Sequence, residues 1–255
     1  MHVEFLGTAG YHPSETRHTS CIYLPDAAPD CAFVLDAGTG FFRLMQRPLP
    51  SQLHIFLTHA HLDHVVGLTF LLDVLLGRDC HVTVYGMEQT LQTVKNDLFD
   101  SPLFPLPFTH DLKPVGEQDC VEVCGVRIST FPLTHPGGSL AYRFDWQNGP
   151  PSARQKKSLA YITDTAGDAR YTDFIQGVDL LIHERNFSDD LHEVAVASGH
   201  CTSEAVTRVV QESGAKKIVL THFNPRPHTD PADEDSLAAD LPDAVYACDG
   251  LSLEF

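Results

Sequence analysis

Positive charge is scarce in this sequence. Seventeen lysines and arginines stand against 34 acids, a formal charge of −17. Such a field repels phosphate backbones, and nucleic-acid binding ordinarily rests on basic patches, so a nucleic-acid partner is disfavoured. The one basic cluster, Arg154, Lys156 and Lys157, lies in a Pro/Gly-flanked loop and reads as a solvated turn. No run approaches the roughly 18 apolar residues of a membrane span. The opening MHVEFLGTAG has no charged leader before a long apolar stretch. No membrane association and no signal peptide are therefore expected, and a cytoplasmic location is. Cys-x-x-Cys pairs are also missing. Cys21, Cys31, Cys80, Cys120, Cys124, Cys201 and Cys248 are scattered, mostly in apolar strand-like runs, where a small buried thiol is the ordinary role. Structural zinc on cysteine is disfavoured by those spacings.

What remains is ordinary for a globular chain. Apolar residues make up 43% of its 255 residues, enough to bury a core as one domain or two fused half-domains. Short apolar strands alternate with turn signals: His2 to Leu6, Cys21 to Leu24, Ala32 to Leu35, HIFLT at 54–58, VTVYG at 82–86, two strands within 120–135, 139–146, 158–164, 180–184 and 217–223. Asp63 to Leu76 has a helical apolar pattern closed by Gly77, and Met87 to Leu98 reads as a second helix. Thr202 or Ser203 caps a third helix that runs to Ser213, with Gly214 as its stop. The three prolines of 101–108 exclude a regular helix there, and its apolar residues predict packing. A late acidic run, Asp230, Asp233, Glu234, Asp235, Asp240 and Asp243, predicts a solvated loop and helix face.

One pattern recurs. Apolar strands end in metal-competent residues: FLTHAH, FPLTH, YITD, LIHE and IVLTH. This predicts an α/β (α+β) architecture of two sheets packed face to face, helices outside, with ligands gathered at one edge. The densest instance is THAHLDH at 58–64. Neutral imidazoles and carboxylates suit zinc, manganese or iron. His59 and His61 can point the same way and grip one metal, while Asp63 and His64 at a helix start can face a second.

That cluster, in its strand–loop–helix context, resembles the signature of the metallo-β-lactamase superfamily. The resemblance implies a four-layer αββα sandwich spanning 1–255 as a single domain, and two divalent metal ions, zinc ahead of manganese or iron. It implies His59, His61 and His135 on one metal, Asp63, His64 and His222 on the other, and Asp164 bridging both. Asp36, in VLDAG, would orient a ligand rather than be one. Such a pair of ions can share a hydroxide, and their charge makes the site locally positive inside an acidic protein.

LIHERNF (181–187) and GHCTSEAV (199–206) resemble motifs of the tRNase Z branch, which includes phosphodiesterases of small cyclic phosphates. There a glutamate holds a histidine that protonates the leaving alkoxide. Here those would be Glu184 and His200, with Asp63 orienting the hydroxide. HPGGSLAYRF, SLAYITDT and THFNPRPHTD look most like the small-phosphodiester group, including the phosphoribosyl cyclic phosphate phosphodiesterase. The expected substrate is a small cyclic or nucleotide-like phosphodiester. A lactonase or thioester hydrolase of the same fold is the alternative. An RNA-processing nuclease is disfavoured by the charge and by the short span between His135 and Asp164, which leaves no room for the inserted tRNA-binding arm. A homodimer is left open, as are the roles of 101–108 and of Arg226, His228 and the acidic run.

Overall fold

The alternation of short apolar strands and turns resolves, in the computed structural model, into two mixed seven-stranded sheets with helices. The structure describes residues 1–148, 155–168, 170–226 and 241–255. Arg154, His228, Asp230, Asp233, Glu234, Asp235 and Asp240 lie outside them. The chain divides into two units, Met1–Gly116 with Cys248–Glu254, and Glu117–Ala247 with Phe255.

The first unit contains β1 (His2–Gly7), β2 (Cys21–Ala28), β3 (Cys31–Leu35), β4 (Gln52–Phe56), β5 (His81–Gly86) and β6 (Asp111–Pro114). They lie in that spatial order, with the chain's last strand, Ser252–Glu254, outside β1. Pairing is antiparallel from that last strand to β3 and parallel from β3 to β6. Phe33 and Val34, neighbours on opposite faces of β3, are both fully buried, so neither face of this sheet meets water there.

The helix expected over Asp63 to Leu76 is broken into α1 (Leu62–Val65), a 3₁₀ stretch (Val66–Phe70) and α2 (Leu71–Val74). The reason lies in the backbone. The His64 carbonyl accepts from Ala37 N–H at 2.7 Å, and Gly67 N–H donates to the Ala37 carbonyl at 2.7 Å. Both groups are thereby diverted from the α ladder. A Cβ on Gly67 would stand 2.2 Å from the Gly38 carbonyl oxygen, so only glycine permits this approach. The second expected helix is α3 (Glu88–Thr93), continued as a π turn over Val94–Leu98.

Packing of 101–108 is only half realised. Phe99 meets Phe104 at 5.1 Å and Phe108 at 4.9 Å, but Leu103 and Leu106 are exposed. The prolines leave no periodicity that could turn all the apolar side chains one way.

The second unit contains β7 (Cys120–Val123), β8 (Val126–Leu133), β9 (Ser139–Asn148), β10 (Gln155–Ile162), β11 (Leu180–Glu184), β12 (Ile218–Thr221) and β13 (Val245–Tyr246). β7 to β10 pair antiparallel and β10 to β13 parallel. Lys156 and Lys157 are not in a turn as expected. They extend β10, opposite Gln147 and Trp146. α4 (His192–Ser198) was not foreseen from its alternating HEVAVAS. α5 (Ser203–Ser213) is capped by Thr202, whose hydroxyl accepts from Ala205 N–H at 3.5 Å, and it ends at Gly214 as expected. Its Val206, Val209 and Val210 pack with Ile162, Leu181 and Leu220, each worth about 1.5–3 kcal/mol when fully buried.

The cysteines depart from expectation. Cys21, Cys31 and Cys201 are buried, but Cys120, Cys124 and Cys248 are exposed. Cys120 and Cys124 belong to the β7 hairpin, where β7 is the edge strand and leaves one flank open to water. Among the described residues, no helix is long and apolar enough to cross a membrane.

Candidate metal centre

The chemistry collects behind the carboxyl ends of the parallel strands, where α/β sheets ordinarily present their ligands. In the first unit β3 delivers Asp36 and β4 delivers Thr58 and His59. Asp36 is fully buried and adopts φ +56°. Its Oδ1 accepts from Thr58 N–H at 2.8 Å, and its Oδ2 accepts from His64 Nδ1 at 2.8 Å. The Thr58 hydroxyl donates to Asp36 Oδ2 at 3.0 Å and accepts from His59 Nδ1 at 3.0 Å. One carboxylate thus fixes two imidazoles, one directly and one through a threonine. Both Nδ1 atoms carry the proton in this arrangement, which leaves Nε2 with the lone pair. The sequence suggested Asp36 as an orienting residue, and it stands bonded to both His64 and Thr58. Thr58 went unnoticed there, although it stands directly before His59.

His59 and His64 are buried and His61 is exposed. The His59 ring centroid is 4.4 Å from that of His61 and 4.3 Å from that of His64. Asp63 Oδ2 is 3.2 Å from His64 Nε2 and accepts from Tyr11 N–H at 2.7 Å. The Tyr11 amide has no side-chain signal and could not be found from sequence.

In the second unit Asp164 follows β10, His222 follows β12 and Glu184 ends β11. β8 runs in the direction of β10, because both are antiparallel to β9, and so it brings His135 to the same sheet edge. Asp164 and His222 also take positive φ, +55° and +56°. Asp164 presents its two oxygens to different imidazoles. Oδ1 is 3.6 Å from His135 Nε2, and Oδ2 is 3.3 Å from His222 Nε2.

His135 is steered by Gly199, whose carbonyl accepts from Nδ1 at 2.9 Å. Gly199 ends α4 at φ +73°, and a Cβ there would fall 2.5 Å from Pro136 Cδ, so glycine is required. Asn186 Nδ2 stands 3.2 Å from His222 Nδ1 and donates to the His222 carbonyl at 3.1 Å.

Glu184 is fully buried. Its Oε2 accepts from His200 Nδ1 at 2.9 Å and its Oε1 from Thr165 N–H at 2.6 Å. Arg185 is bonded to the Ser203 hydroxyl through Nε at 3.1 Å. His200 Nδ1 also lies 3.9 Å from Asp164 Oδ1, but that nitrogen is committed to Glu184. This separates His200 from the imidazoles that face Asp164 through Nε2. Cys201 beside them is no nucleophile. Burial first, and Glu184 next, push its thiol well up, and it donates to the Thr165 carbonyl at 3.1 Å.

These donor sets fit divalent metal ions. Two N/O ligands about 2.0–2.2 Å from one ion at a tetrahedral angle stand roughly 3.3–3.6 Å apart. The Asp63–His64, Asp164–His222 and Asp164–His135 pairs measure 3.2, 3.3 and 3.6 Å. Imidazole and carboxylate donors leave the choice among zinc, manganese and iron open.

The comparisons with known proteins agree. Residues 31–223 match the family model of the β-lactamase superfamily domain. The ribonuclease Z of Acaryochloris marina is 30% identical over 280 aligned positions, covering 89% of this chain and 87% of that protein. Among solved structures, the metallo-β-lactamase-fold protein YhfI of Bacillus subtilis superposes with a TM-score of 0.78 at 19% identity, over 100% of this chain and 98% of that one. A diphosphatase of the PhnP family superposes with a TM-score of 0.72 at 20% identity, over 100% and 96%. The fold is the one expected. The expectation that a nucleic-acid partner is disfavoured gains no support, because the sequence relative is named as a ribonuclease.

Proposed function

This chain belongs to the metallo-β-lactamase superfamily, in a branch of metal-dependent hydrolases, and on that premise we propose that it is a dinuclear phosphodiesterase of small cyclic or nucleotide-like phosphodiesters. His59, His61 and His135 would hold one ion, Asp63, His64 and His222 the other, with Asp164 between them. When bound, two such ions supply a water-derived nucleophile near neutral pH and a Lewis acid for the phosphoryl oxygens. Asp63, whose Oδ2 accepts from the Tyr11 amide, would orient that nucleophile.

The observation that carries the reading is the Glu184–His200 pair. A phosphodiester loses a poor leaving group, an alkoxide, and a positioned imidazolium raises the rate by protonating it. Buried Glu184 fixes the proton on His200 Nδ1 and stabilises the charged ring, leaving Nε2 as the other proton-bearing position. Lactone and thioester hydrolysis do not need this pair.

A second reading, RNA cleavage, is favoured by the name of the ribonuclease Z relative. Against it stand the −17 charge and the lengths. The alignment spans 280 positions and this chain has 255 residues, so the relative carries segments with no counterpart here.

The test is turnover by metal-quantified protein of cyclic nucleotides, ribose 1,2-cyclic phosphate, an RNA with a 3′ extension, a lactone and a thioester. Turnover of small diesters that tracks a two-metal content is expected. Cleavage of the RNA alone would favour the second reading. Activity confined to the lactone or thioester would overturn both.

A further inference from the structure

A tyrosine occupies a backbone position that suits glycine. Tyr11 has φ +62°, and His12 N–H bonds back to the Gly10 carbonyl at 2.8 Å, closing a three-residue turn centred on Tyr11. Such turns with positive φ are rare and strained, more so with a Cβ. The turn aims the Tyr11 N–H at Asp63 Oδ2, 2.7 Å away. Glycine would make that bond without the strain, so the bond does not explain the side chain. Core packing does not explain it either. The residue is 74% exposed, and its ring meets the ring of His12, itself exposed, edge-on at 5.1 Å. A strained residue that turns a large aromatic ring to solvent, beside the carboxylate its own amide grips, is placed to meet substrate.

We infer that Tyr11 is a specificity-determining residue whose ring is a stacking platform for the planar base of the substrate. The inference rests on the phosphodiesterase reading and narrows it to base-bearing diesters, nucleoside cyclic phosphates, over base-less sugar phosphates. Every nucleobase offers a π face, so the platform selects for a base without selecting which one. The phenol hydroxyl is not needed. Tyr11→Phe keeps the platform, and Tyr11→Gly removes it while keeping the amide and relaxing the turn.

The experiment has two arms on metal-loaded wild type, Tyr11→Phe and Tyr11→Gly, each checked for a melting temperature no lower than wild type. Calorimetry measures binding of adenosine monophosphate and of ribose 5-phosphate. Kinetics compares a 2′,3′-cyclic nucleotide with ribose 1,2-cyclic phosphate. In Tyr11→Gly, adenosine monophosphate should bind about tenfold more weakly, while ribose 5-phosphate changes less than about twofold. The kcat/KM ratio of the base-bearing to the base-less substrate should fall by about tenfold, through KM. Tyr11→Phe should match wild type. Equal losses for both ligands, or no adenosine monophosphate binding by wild type, would overturn the platform. Base-selective binding loss without turnover of any diester would instead sink the phosphodiesterase reading and leave the platform standing.

Discussion

In the unit built on Met1–Gly116, Thr58, His59, His61, Asp63 and His64 lie on one short segment that runs from the end of β4 into α1. In the other unit, His135, Asp164, Glu184, His200 and His222 arrive separately, behind β8, β10, β11, α4 and β12. The first set is ordered by its own loop and one buried anchor, Asp36. The second is ordered by strand register and organised around Asp164, whose two oxygens face two imidazoles. Local sets cost little loop-closure entropy, whereas distributed ones depend on the whole sheet being formed. A defect should therefore be graded in the first unit and steep in the second.

The largest break in that comparison is Asp164→Ala. Removing the group between two imidazoles should lower bound metal by at least one equivalent and turnover by about 10³-fold or more. Full metal retention, measured by elemental analysis after dialysis, would take Asp164 out of the centre. Next comes His200→Ala. Metal content should be unchanged, with turnover of an unactivated diester down by about 10²–10⁴ and a much smaller loss on bis(p-nitrophenyl) phosphate, whose leaving group needs little protonation. Equal losses on the two substrates would count against proton donation. Asp36→Asn acts in the first unit, through the imidazoles it orients. Metal affinity should weaken by about 10–100-fold in a chelator competition, and an unchanged affinity would show that Thr58 alone orients the rings.

The smallest effect sharpens the comparison through the buried histidines. Each sheet carries one against a tyrosine. His54 Nδ1 lies 3.3 Å from the Tyr85 hydroxyl, and His183 Nε2 2.8 Å from the Tyr171 hydroxyl. Burial lowers both pKa values, His54 to about 4, with Lys113 adding to its shift. The unfolded chain, with histidine near 6.5, then binds more protons than the folded one, so stability falls as pH drops from about 6.5 toward 4. His54→Gln should flatten that slope by roughly 1–3 kcal/mol in pH-dependent denaturant melts. An unaltered slope would place the sensitivity in the second unit.

The same contrast explains what could be seen in sequence. The 58–64 cluster needs no folding to be noticed, and the strand-end positions of Asp36, His135, Asp164 and His222 follow from apolar runs that stop on a polar residue. The broken helix after Asp63 was hidden, because its cause is a backbone exchange between Ala37, His64 and Gly67. So were the Gly199 carbonyl on His135 and the Tyr11 amide on Asp63, since main-chain partners leave no mark on residue type. α4 was missed because HEVAVAS alternates with a strand's period, and only its capping glycine, Gly199, and the three-dimensional packing of Ala195 disclose a helix.

Three of these strand ends turn through a left-handed residue that the proposed centre also uses: Asp36, Asp164 and His222. At such positions the path of the chain and the chemistry are written in the same letter. In a lineage that abandoned catalysis, His59 and His135 could drift freely, but replacements at 36, 164 and 222 would still have to tolerate positive φ, which restricts them largely to glycine, asparagine, aspartate and histidine. A descendant that had become a mere scaffold would therefore carry those residues there as a fossil of the lost centre.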